Sequence, residues 1–484
     1  MTATATREAR WDAVVVGAGP NGLVAAITLA RAGLSTLVLE AENTPGGACR
    51  SAELTLPGFT HDLGAAVHLF ALASPALRGI PFAAHGTHFV HGTLPVAHPL
   101  DNGPAALLHR SVHETASSFN GDARAYRSLF KPLCANLDAL LDQFLGPPLS
   151  PKHWLLAARF AIDGLQPLTM LAHRFKSDRA RALVAGLGAH SVLSLSAPAS
   201  SAIALLLGAT AHRVGWPVVT GGTQRLTDAL VGEARGCGVV VQTGCRLESL
   251  QQLPNSRCAL LDVTPRQFLA IAGDRLEGGY RRALQRFRYA PGAYKMDWAL
   301  DGPIPWRDPA CKGALTVHVG GTLEAIADAE ADVARGRHPG RPFVLLVQPT
   351  IADPTRAPQG KHTAWAYCHV PNGSTVDMSD RIERQIERFA PGFRDRIIAR
   401  AVHTPADLER MDANCIGGDV GGGLQDLRQA IARPALRIDP YRTPLSGVFL
   451  CSASTPPGGG VHGMSGYHAA RSALGYVGVR RPVT

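Results

Sequence analysis

The sequence predicts an α/β protein in which a parallel-sheet domain is interrupted by a second domain of α+β type. Three observations support this prediction. The chain has 484 residues, more than one compact core usually holds. Residues 12–40 show the strand, glycine turn, helix and strand of a βαβ unit. Further short apolar strands are predicted far along the chain, at 238–243, 257–263 and 447–454, with long stretches of other character between them.

The glycine turn of the first unit carries its chemistry. Residues 17–22, GAGPNG, match the pattern GxGxxG, and Glu40 ends the following strand. Gly17 allows the tight turn, Gly19 lets the backbone approach a pyrophosphate, and Gly22 lets helix and strand pack closely. The N-terminus of the helix then faces the phosphates, and an acid such as Glu40 suits a ribose. The sequence therefore predicts a Rossmann-like dinucleotide-binding domain.

The charge of the chain does not indicate a nucleic-acid partner. The net charge is +10 and the isoelectric point is about 9.4. Of 48 basic residues only six are lysines, and the arginines are scattered without a basic run that alternates with aromatic residues. Nucleic-acid binding depends on such clustered patches. We therefore expect no nucleic-acid partner.

The cysteines and the first residues bear on location. Nine cysteines occur at irregular spacing without a CxxC pair, so neither a disulfide framework nor a zinc site is predicted, and no other metal site is expected. Residues 1–13 lack the apolar core of a signal peptide, and the apolar stretch 13–39 is broken by glycines and polar residues. These features favour a cytoplasmic protein.

The rest of the chain divides between the two predicted domains. Residues 122–210 are helical in pattern, 342–348 and 362–370 are extended, and 379–403 is predicted to be one charged helix. The dinucleotide domain is assigned to 10–75, 213–265 and 435–480. The substrate domain, with a mixed sheet and a helical cap, is assigned to 76–212 and 266–434.

Several segments resemble a known family. Residues 44–51, TPGGACRS, resemble the second signature of FAD enzymes of the glutathione reductase and amine oxidase type, and 61–68 resembles the segment that follows it. Residues 447–470 resemble the C-terminal signature of the phytoene desaturase family. The chain thus resembles the phytoene desaturase-like FAD oxidoreductases. Motifs such as DVTPRQ and KMDWALDGPIPW point to the subgroup of pyridine nucleotide-disulfide oxidoreductase domain-containing protein 2.

The resemblance implies FAD as the cofactor and an interrupted FAD-binding domain of the glutathione reductase and amine oxidase type. It implies contacts with FAD from residues of these segments: Gly17, Gly19, Pro20, Asn21, Gly22, Glu40, Ala41, Gly46, Gly47, Ala48, Arg50, Ala66, Val67, Leu247, Ser452, Val461, Gly463 and Met464. Dithiol chemistry is not expected, because Cys49 has no second cysteine before Cys134. A separate NAD(P)H domain is not expected either.

The implied reaction is transfer of hydride from a carbon of an apolar small molecule to the flavin, with oxygen or a quinone as the final acceptor. Two alternatives stay open. One is redox-neutral isomerisation with reduced flavin, and the other is a non-enzymatic, flavin-bearing interaction protein.

Candidates for a catalytic base are His462, Tyr467 and His68, which stand in or beside the flavin segments. Each could instead bind the backbone or the flavin. Lys295 is expected to pair with Asp297.

The apolar segment from Trp154 to Met170 has basic flanks. It predicts either an interfacial helix in peripheral contact with a membrane or a helix pair packed over the substrate cavity. A homodimer is left open as the oligomeric state.

Overall fold

The computed structural model describes residues 10–147 and 152–479. The strands of these residues are β1 (Trp11–Val16), β2 (Thr36–Leu39), β3 (Ser51–Ala52), β4 (His61–Asp62), β5 (Phe89–Val90), β6 (Leu94–His98), β7 (Ala106–Leu108), β8 (Val218–Val219), β9 (Val240–Gln242), β10 (Ser256–Leu261), β11 (Gly292–Leu300), β12 (Ala314–Val319), β13 (Val344–Val347), β14 (His362–Val370), β15 (Ile397–His403) and β16 (Val448–Leu450).

The α-helices of the same residues are α1 (Pro20–Arg31), α2 (Leu69–Ala73), α3 (Val112–Ser117), α4 (Ala123–Ala135), α5 (Leu137–Phe144), α6 (Trp154–Gly164), α7 (Leu168–Leu171), α8 (Asp178–Ala189), α9 (Ser200–Val214), α10 (Gln224–Gly236), α11 (Pro265–Ala272), α12 (Gly278–Gln285), α13 (Leu323–Ala334), α14 (Ser379–Glu387), α15 (Pro405–Met411), α16 (Leu427–Ala432) and α17 (Met464–Tyr476).

A parallel sheet is assembled from distant parts of the chain. Its order among the described residues is β16-β10-β1-β2-β9, with β1 flanked by β2 and β10. The central strands are almost fully buried, as expected for strands covered by helices on both faces. The carboxyl ends of these strands meet at one edge, the usual ligand edge of such sheets. The predicted α/β class with a Rossmann-like parallel sheet is confirmed.

The backbone of helix α1 lies in direct contact with the backbone of its neighbours. A Cβ atom at Gly22 would lie 2.0 Å from the carbonyl oxygen of Gly17, and one at Gly466 in α17 would lie 1.8 Å from the carbonyl oxygen of Asn21. Helix α1 begins at Pro20, whose ring suits the first turn, and Gly33 follows its end at φ +91°. The glycines therefore fix how closely α1 packs against β1 and α17.

A second, mostly antiparallel sheet carries the other half of the molecule. Its order among the described residues is β15-β11-β14-β13-β12-β6-β7, and β6 pairs with β12 in parallel. His318, Leu345, Tyr367 and Lys295 are neighbours in one row across β12, β13, β14 and β11. Because side chains alternate between faces along a strand, this row shares one face, which we call the cavity face.

The prediction of one helix over 379–403 is wrong. Helix α14 ends at Glu387, and β15 begins at Ile397 as the edge strand beside β11. Pro391 and Gly392 stand between them and disfavour a continuous helix. Over the first five residues of β15, side chains alternate between intermediate and full exposure, as expected of a strand. The many charged residues of this segment hid that alternation.

Within residues 10–147 and 152–479, no helix combines the length and the apolar character that crossing a membrane requires.

We expect Gly466→Ala to destabilise the protein, because the added methyl group would overlap the backbone of α1. Overpacking of this kind typically costs about 1–3 kcal/mol in the free energy of unfolding. Gly475→Ala is the matched control in the same helix, since a Cβ there meets nothing within 4 Å. Chemical denaturation of both variants measures the difference; equal stabilities would contradict the close packing of α1 and α17.

Candidate functional site

One cavity of about 830 Å³ connects the two sheets. At one end it is lined by residues that follow the carboxyl ends of the parallel strands, among them Gly17 after β1, Glu40 after β2 and Asp262 after β10. At the other end it reaches the cavity face of the second sheet. We call these the dinucleotide end and the substrate end.

The dinucleotide end has the geometry of a pyrophosphate cradle. Gly19 precedes the first turn of α1 in an extended conformation, so the N–H groups of that turn point toward the cavity. Gly17 has φ +102°, a conformation that other residues rarely adopt. Glu40 is buried, and its carboxylate accepts hydrogen bonds from the N–H of Ala18 at 2.7 Å and of Glu42 at 2.9 Å. This fixes the carboxylate at the cavity wall.

Most of the cofactor-binding residues predicted from the sequence line this cavity: Gly17, Gly19, Pro20, Asn21, Glu40, Ala41, Gly47, Ala48, Arg50, Ala66, Val67, Leu247, Ser452 and Val461. Gly22, Gly46, Gly463 and Met464 stand behind the wall. The glycines among them permit close packing; a Cβ at Gly463, for example, would lie 2.5 Å from a methyl group of Val24. The roles of all eighteen in binding a cofactor stay predictions.

Asp262 was not singled out from the sequence. Its carboxylate is buried below the glycine turn and accepts a hydrogen bond from the N–H of Gly22 at 3.0 Å. Burial raises the pKa of Asp262 to about 7; the Gly22 N–H opposes this shift, and the charges of Asp412 and Glu40 add to it. A carboxyl that titrates near neutral pH thus lies where an anion would approach α1.

Arg50 supplies positive charge at the same end. Its guanidinium donates to the carbonyl oxygens of Gly47 and Met411, which holds the side chain along the cavity wall. Asp412 is half-buried close by, and its carboxylate lies 3.2 Å from the position that a Cβ of Gly47 would take. Burial raises the pKa of Asp412, and Arg50 opposes the shift. Asp412 lies far from the glycine turn in sequence, so no local pattern indicated it.

A buried ion pair fixes the segment that runs between the two ends. Asp62 accepts from the guanidinium of Arg356 at 3.0 Å and from the N–H of Thr223 at 2.8 Å, and both partners of the ion pair are fully buried. Breaking such a pair typically costs about 3–5 kcal/mol. The chain that follows β4, including Ala66 and Val67, is thereby held against the cavity.

The three predicted catalytic residues lie in different surroundings. His462 is buried, and its Nδ1 accepts the N–H of Met464, so it caps α17; it does not line the cavity. Tyr467 packs beside Arg471, also away from the cavity lining. His68 does line the cavity.

The ring of His68 is held in one tautomer. Thr223 donates its hydroxyl proton to the carbonyl of Ala65, so the Nε2 of His68 donates to that hydroxyl. Burial lowers the pKa of His68 to about 4. His68 is therefore the member of the three that could contact a bound molecule, as a neutral ring.

The substrate end is mainly apolar. The cavity face contributes Ala293, Lys295, Thr316, Leu345, Trp365 and Tyr367, and the helical side contributes His190, Val192, Ile203 and Leu207. Lys295 is buried and forms an ion pair with Asp297, as the sequence predicted, and its ammonium lies 5.6 Å from the ring centre of Trp365. Trp298, Trp306 and Trp365 were all candidates from the sequence for lining an apolar cavity, and of the three only Trp365 lines this one, whereas sequence pattern did not mark His190.

The nine cysteine thiols are all free, and that of Cys49 is buried in the cavity wall. Burial raises the pKa of its thiol far above its usual value, so the thiolate form is strongly disfavoured. In the described part of the chain, no group of three or more His, Cys, Asp or Glu side chains is arranged to hold a metal ion.

We expect the affinity for a dinucleotide such as FAD to depend on the protonation of Asp262. Because its pKa is about 7, the carboxyl is neutral below that pH and charged above it, and the charge repels a pyrophosphate. The dissociation constant should then rise by up to about tenfold per pH unit above 7. In Asp262→Asn this dependence should disappear.

The pH dependence of the dissociation constant is measured by titrations followed by flavin fluorescence, from about pH 6 to pH 8.5. Asp328→Asn, at an exposed position of α13, is the matched control and should keep the wild-type slope. The same slope in Asp262→Asn would show that another group controls binding.

Comparison with known proteins agrees with this geometry. The family model of an NAD(P)-binding Rossmann-like domain matches residues 15–80. The chain is 27% identical to pyridine nucleotide-disulfide oxidoreductase domain-containing protein 2 of Mus musculus, over 95% of this chain and 92% of the relative. It is 26% identical to a phytoene dehydrogenase of Streptomyces griseus, over 84% of this chain and 80% of the relative.

Among solved structures, a putrescine oxidase variant superposes with a TM-score of 0.60 over 97% of this chain and 99% of the other. Its sequence identity of 16% makes this a likeness of fold alone. The relatives, by contrast, match in sequence over most of their length. The chain is therefore similar over most of its length to a phytoene dehydrogenase and to pyridine nucleotide-disulfide oxidoreductase domain-containing protein 2, and it contains a Rossmann-like dinucleotide-binding domain.

Proposed function

We propose that the protein is an FAD-dependent oxidoreductase that removes hydride from a carbon of an apolar small molecule. The observation that carries this proposal is the continuous cavity that joins a pyrophosphate cradle at the parallel sheet to an apolar chamber at the second sheet. A dinucleotide laid along the first half would present its far end to a molecule in the second half. The segments 44–51 and 447–470, which resemble FAD signatures, support FAD as that dinucleotide.

The residues of the chain bind, orient and exclude water. Gly17, Gly19 and the first turn of α1 would hold the pyrophosphate, Arg50 would offset its charge, and Glu40 would accept from a ribose. Bound FAD supplies a ring that accepts hydride. Trp365 and the aliphatic wall formed by Ile203 and its neighbours would keep water from the reacting carbon. The final electron acceptor that we propose is oxygen or a quinone.

Purified protein should contain FAD and be yellow, and Gly19→Leu should lose the cofactor, because its side chain would fill the pyrophosphate cradle and meet the carboxylate of Asp262. Gly340→Leu is a suitable control, since a Cβ there meets nothing within 4 Å and the position lies outside the cavity lining. The FAD content of each protein is measured from its absorbance spectrum and from the FAD released on denaturation. A colourless protein that cannot be reconstituted would contradict the proposal.

The reaction class has its own test. Under anaerobic conditions, a substrate that is oxidised bleaches the flavin band, whereas turnover that requires pre-reduced flavin indicates the isomerase alternative. No reaction with any acceptor, together with a tight protein partner, indicates the non-enzymatic alternative.

We further propose a peripheral membrane contact through helix α6 and the turn after it. Trp154, Leu155 and Ile162 are 64%, 65% and 67% exposed, an unusual state for such side chains. Exposed Lys152 and Arg159 accompany them. Helix α6 packs on α9, whose Ile203 lines the cavity, so an apolar substrate could pass from a lipid surface toward the site.

The double variant Trp154→Ser, Leu155→Ser should bind anionic lipid vesicles more weakly than the wild type, because it loses two large apolar side chains from the contact. The matched control is Leu436→Ser, Ile438→Ser, which removes two exposed apolar side chains elsewhere. Vesicle co-sedimentation measures the bound fraction. Equal losses in both double variants would contradict a contact specific to α6.

A further inference from the structure

We propose that the substrate is an uncharged apolar molecule with one oxygen function, a hydroxyl or a carbonyl, which forms a hydrogen bond with His190. The inference rests on the function proposed above and deepens it, since it specifies the chemical class that the substrate end selects. It follows from the place of His190, from the way His318 holds it, and from the charges around the substrate end.

His190 offers one free polar atom in an apolar wall. It caps the C-terminus of α8 and lines the cavity beside Val192, Ile203 and Leu207. Its Nε2 lies 3.0 Å from the Nε2 of His318. In the described part of the chain its Nδ1 forms no hydrogen bond, so this nitrogen is available to a bound molecule.

His318 fixes the orientation of His190. It is fully buried in β12, and its ring lies 5.6 Å from that of Phe343. A Cβ at Gly186 would lie 2.6 Å from the Nδ1 of His318, so α8 presses directly on this ring. Neither imidazole can turn freely, and the Nδ1 of His190 keeps its direction.

The two rings are neutral at physiological pH. Burial lowers the pKa of His190 to about 3, with a further contribution from His369, and it lowers the pKa of His318 well below its usual value. One proton is shared between the two Nε2 atoms, and the tautomer decides whether the Nδ1 of His190 donates or accepts. A hydroxyl can pair with either tautomer, and a carbonyl can pair with the donating one.

The surroundings disfavour a charged substrate group. The acidic residues that line the cavity lie at the dinucleotide end or in the segment 412–419; no acidic side chain of the cavity face, α8 or α9 is part of the lining. On the cavity face, the charge of Lys295 is already neutralised by Asp297. Burial raises the pKa of Tyr367, so its hydroxyl stays neutral. An ammonium or a carboxylate would enter this end without a counter-charge, at a large desolvation cost.

The test uses the FAD-loaded protein and four probes of equal chain length: octan-1-ol, octane, octylamine and octanoic acid. Their binding is read from the shift in flavin absorbance and from displacement of Nile red, so no turnover is needed. Octan-1-ol should bind about three- to tenfold more tightly than octane, the gain expected of one hydrogen bond. Octylamine and octanoic acid should bind more weakly than octan-1-ol.

Three variants assign the preference to His190. His190→Phe keeps a ring of similar size but no nitrogen, and it should bind octan-1-ol and octane equally. His190→Gln, which can still donate and accept, should retain part of the preference. Ile203→Ala, on the same wall, is the matched control. It should lower the affinity for all four probes while preserving the preference for octan-1-ol.

The outcomes separate this inference from the proposed function. FAD content is measured first, and a protein that holds no FAD contradicts the proposed function. With full FAD content and an unchanged melting temperature, an alcohol preference that survives in His190→Phe overturns the inference alone. Binding of octylamine or octanoic acid as tight as that of octan-1-ol also overturns it.

Discussion

The backbone contact of α1 with β1 and α17 is the constraint on which the rest of the structure depends. Gly22 and Gly466 leave no room for a side chain at the two points of contact. Because α1 lies this close, its N-terminus is fixed at the edge where the parallel strands end. Asp262, Glu40 and Arg50 reach the same edge from other segments, so the position of one helix decides whether they surround a common space.

Charge is distributed unevenly along that space. The dinucleotide end combines acidic side chains, one of which is the titrating Asp262, with Arg50 and the partial positive charge of a helix N-terminus. The positive groups suit a phosphate, and an acidic side chain suits a ribose. The substrate end holds neutral rings, aliphatic side chains and the paired Lys295. Since the cavity is continuous, this difference alone orients a ligand that has one charged half and one apolar half. A separate recognition element for orientation is not required.

The sequence predicted those parts of the structure that are formed by contiguous residues. The strand, turn and helix around Gly17 to Gly22 are contiguous, and their glycine spacing reflects one turn geometry, so the Rossmann-like fold could be predicted. Asp262 and His190 reach the cavity through contacts with residues far away in sequence; the motif DVTPRQ, which begins at Asp262, indicated a subgroup but not this position.

The sequence also could not predict the direction in which most side chains of the site point. His462 stands within a glycine-rich segment at the cavity, yet its ring turns toward the first N–H groups of α17. Lys295 and Asp297 point the same way because they are two residues apart on a strand, and for that reason their pairing could be predicted. This buried pair also contributes to stability. Removing either partner would leave an uncompensated buried charge, at a cost of about 3–5 kcal/mol. The fold therefore keeps its cavity face electrically neutral, and the likeness to a putrescine oxidase is one of backbone fold alone.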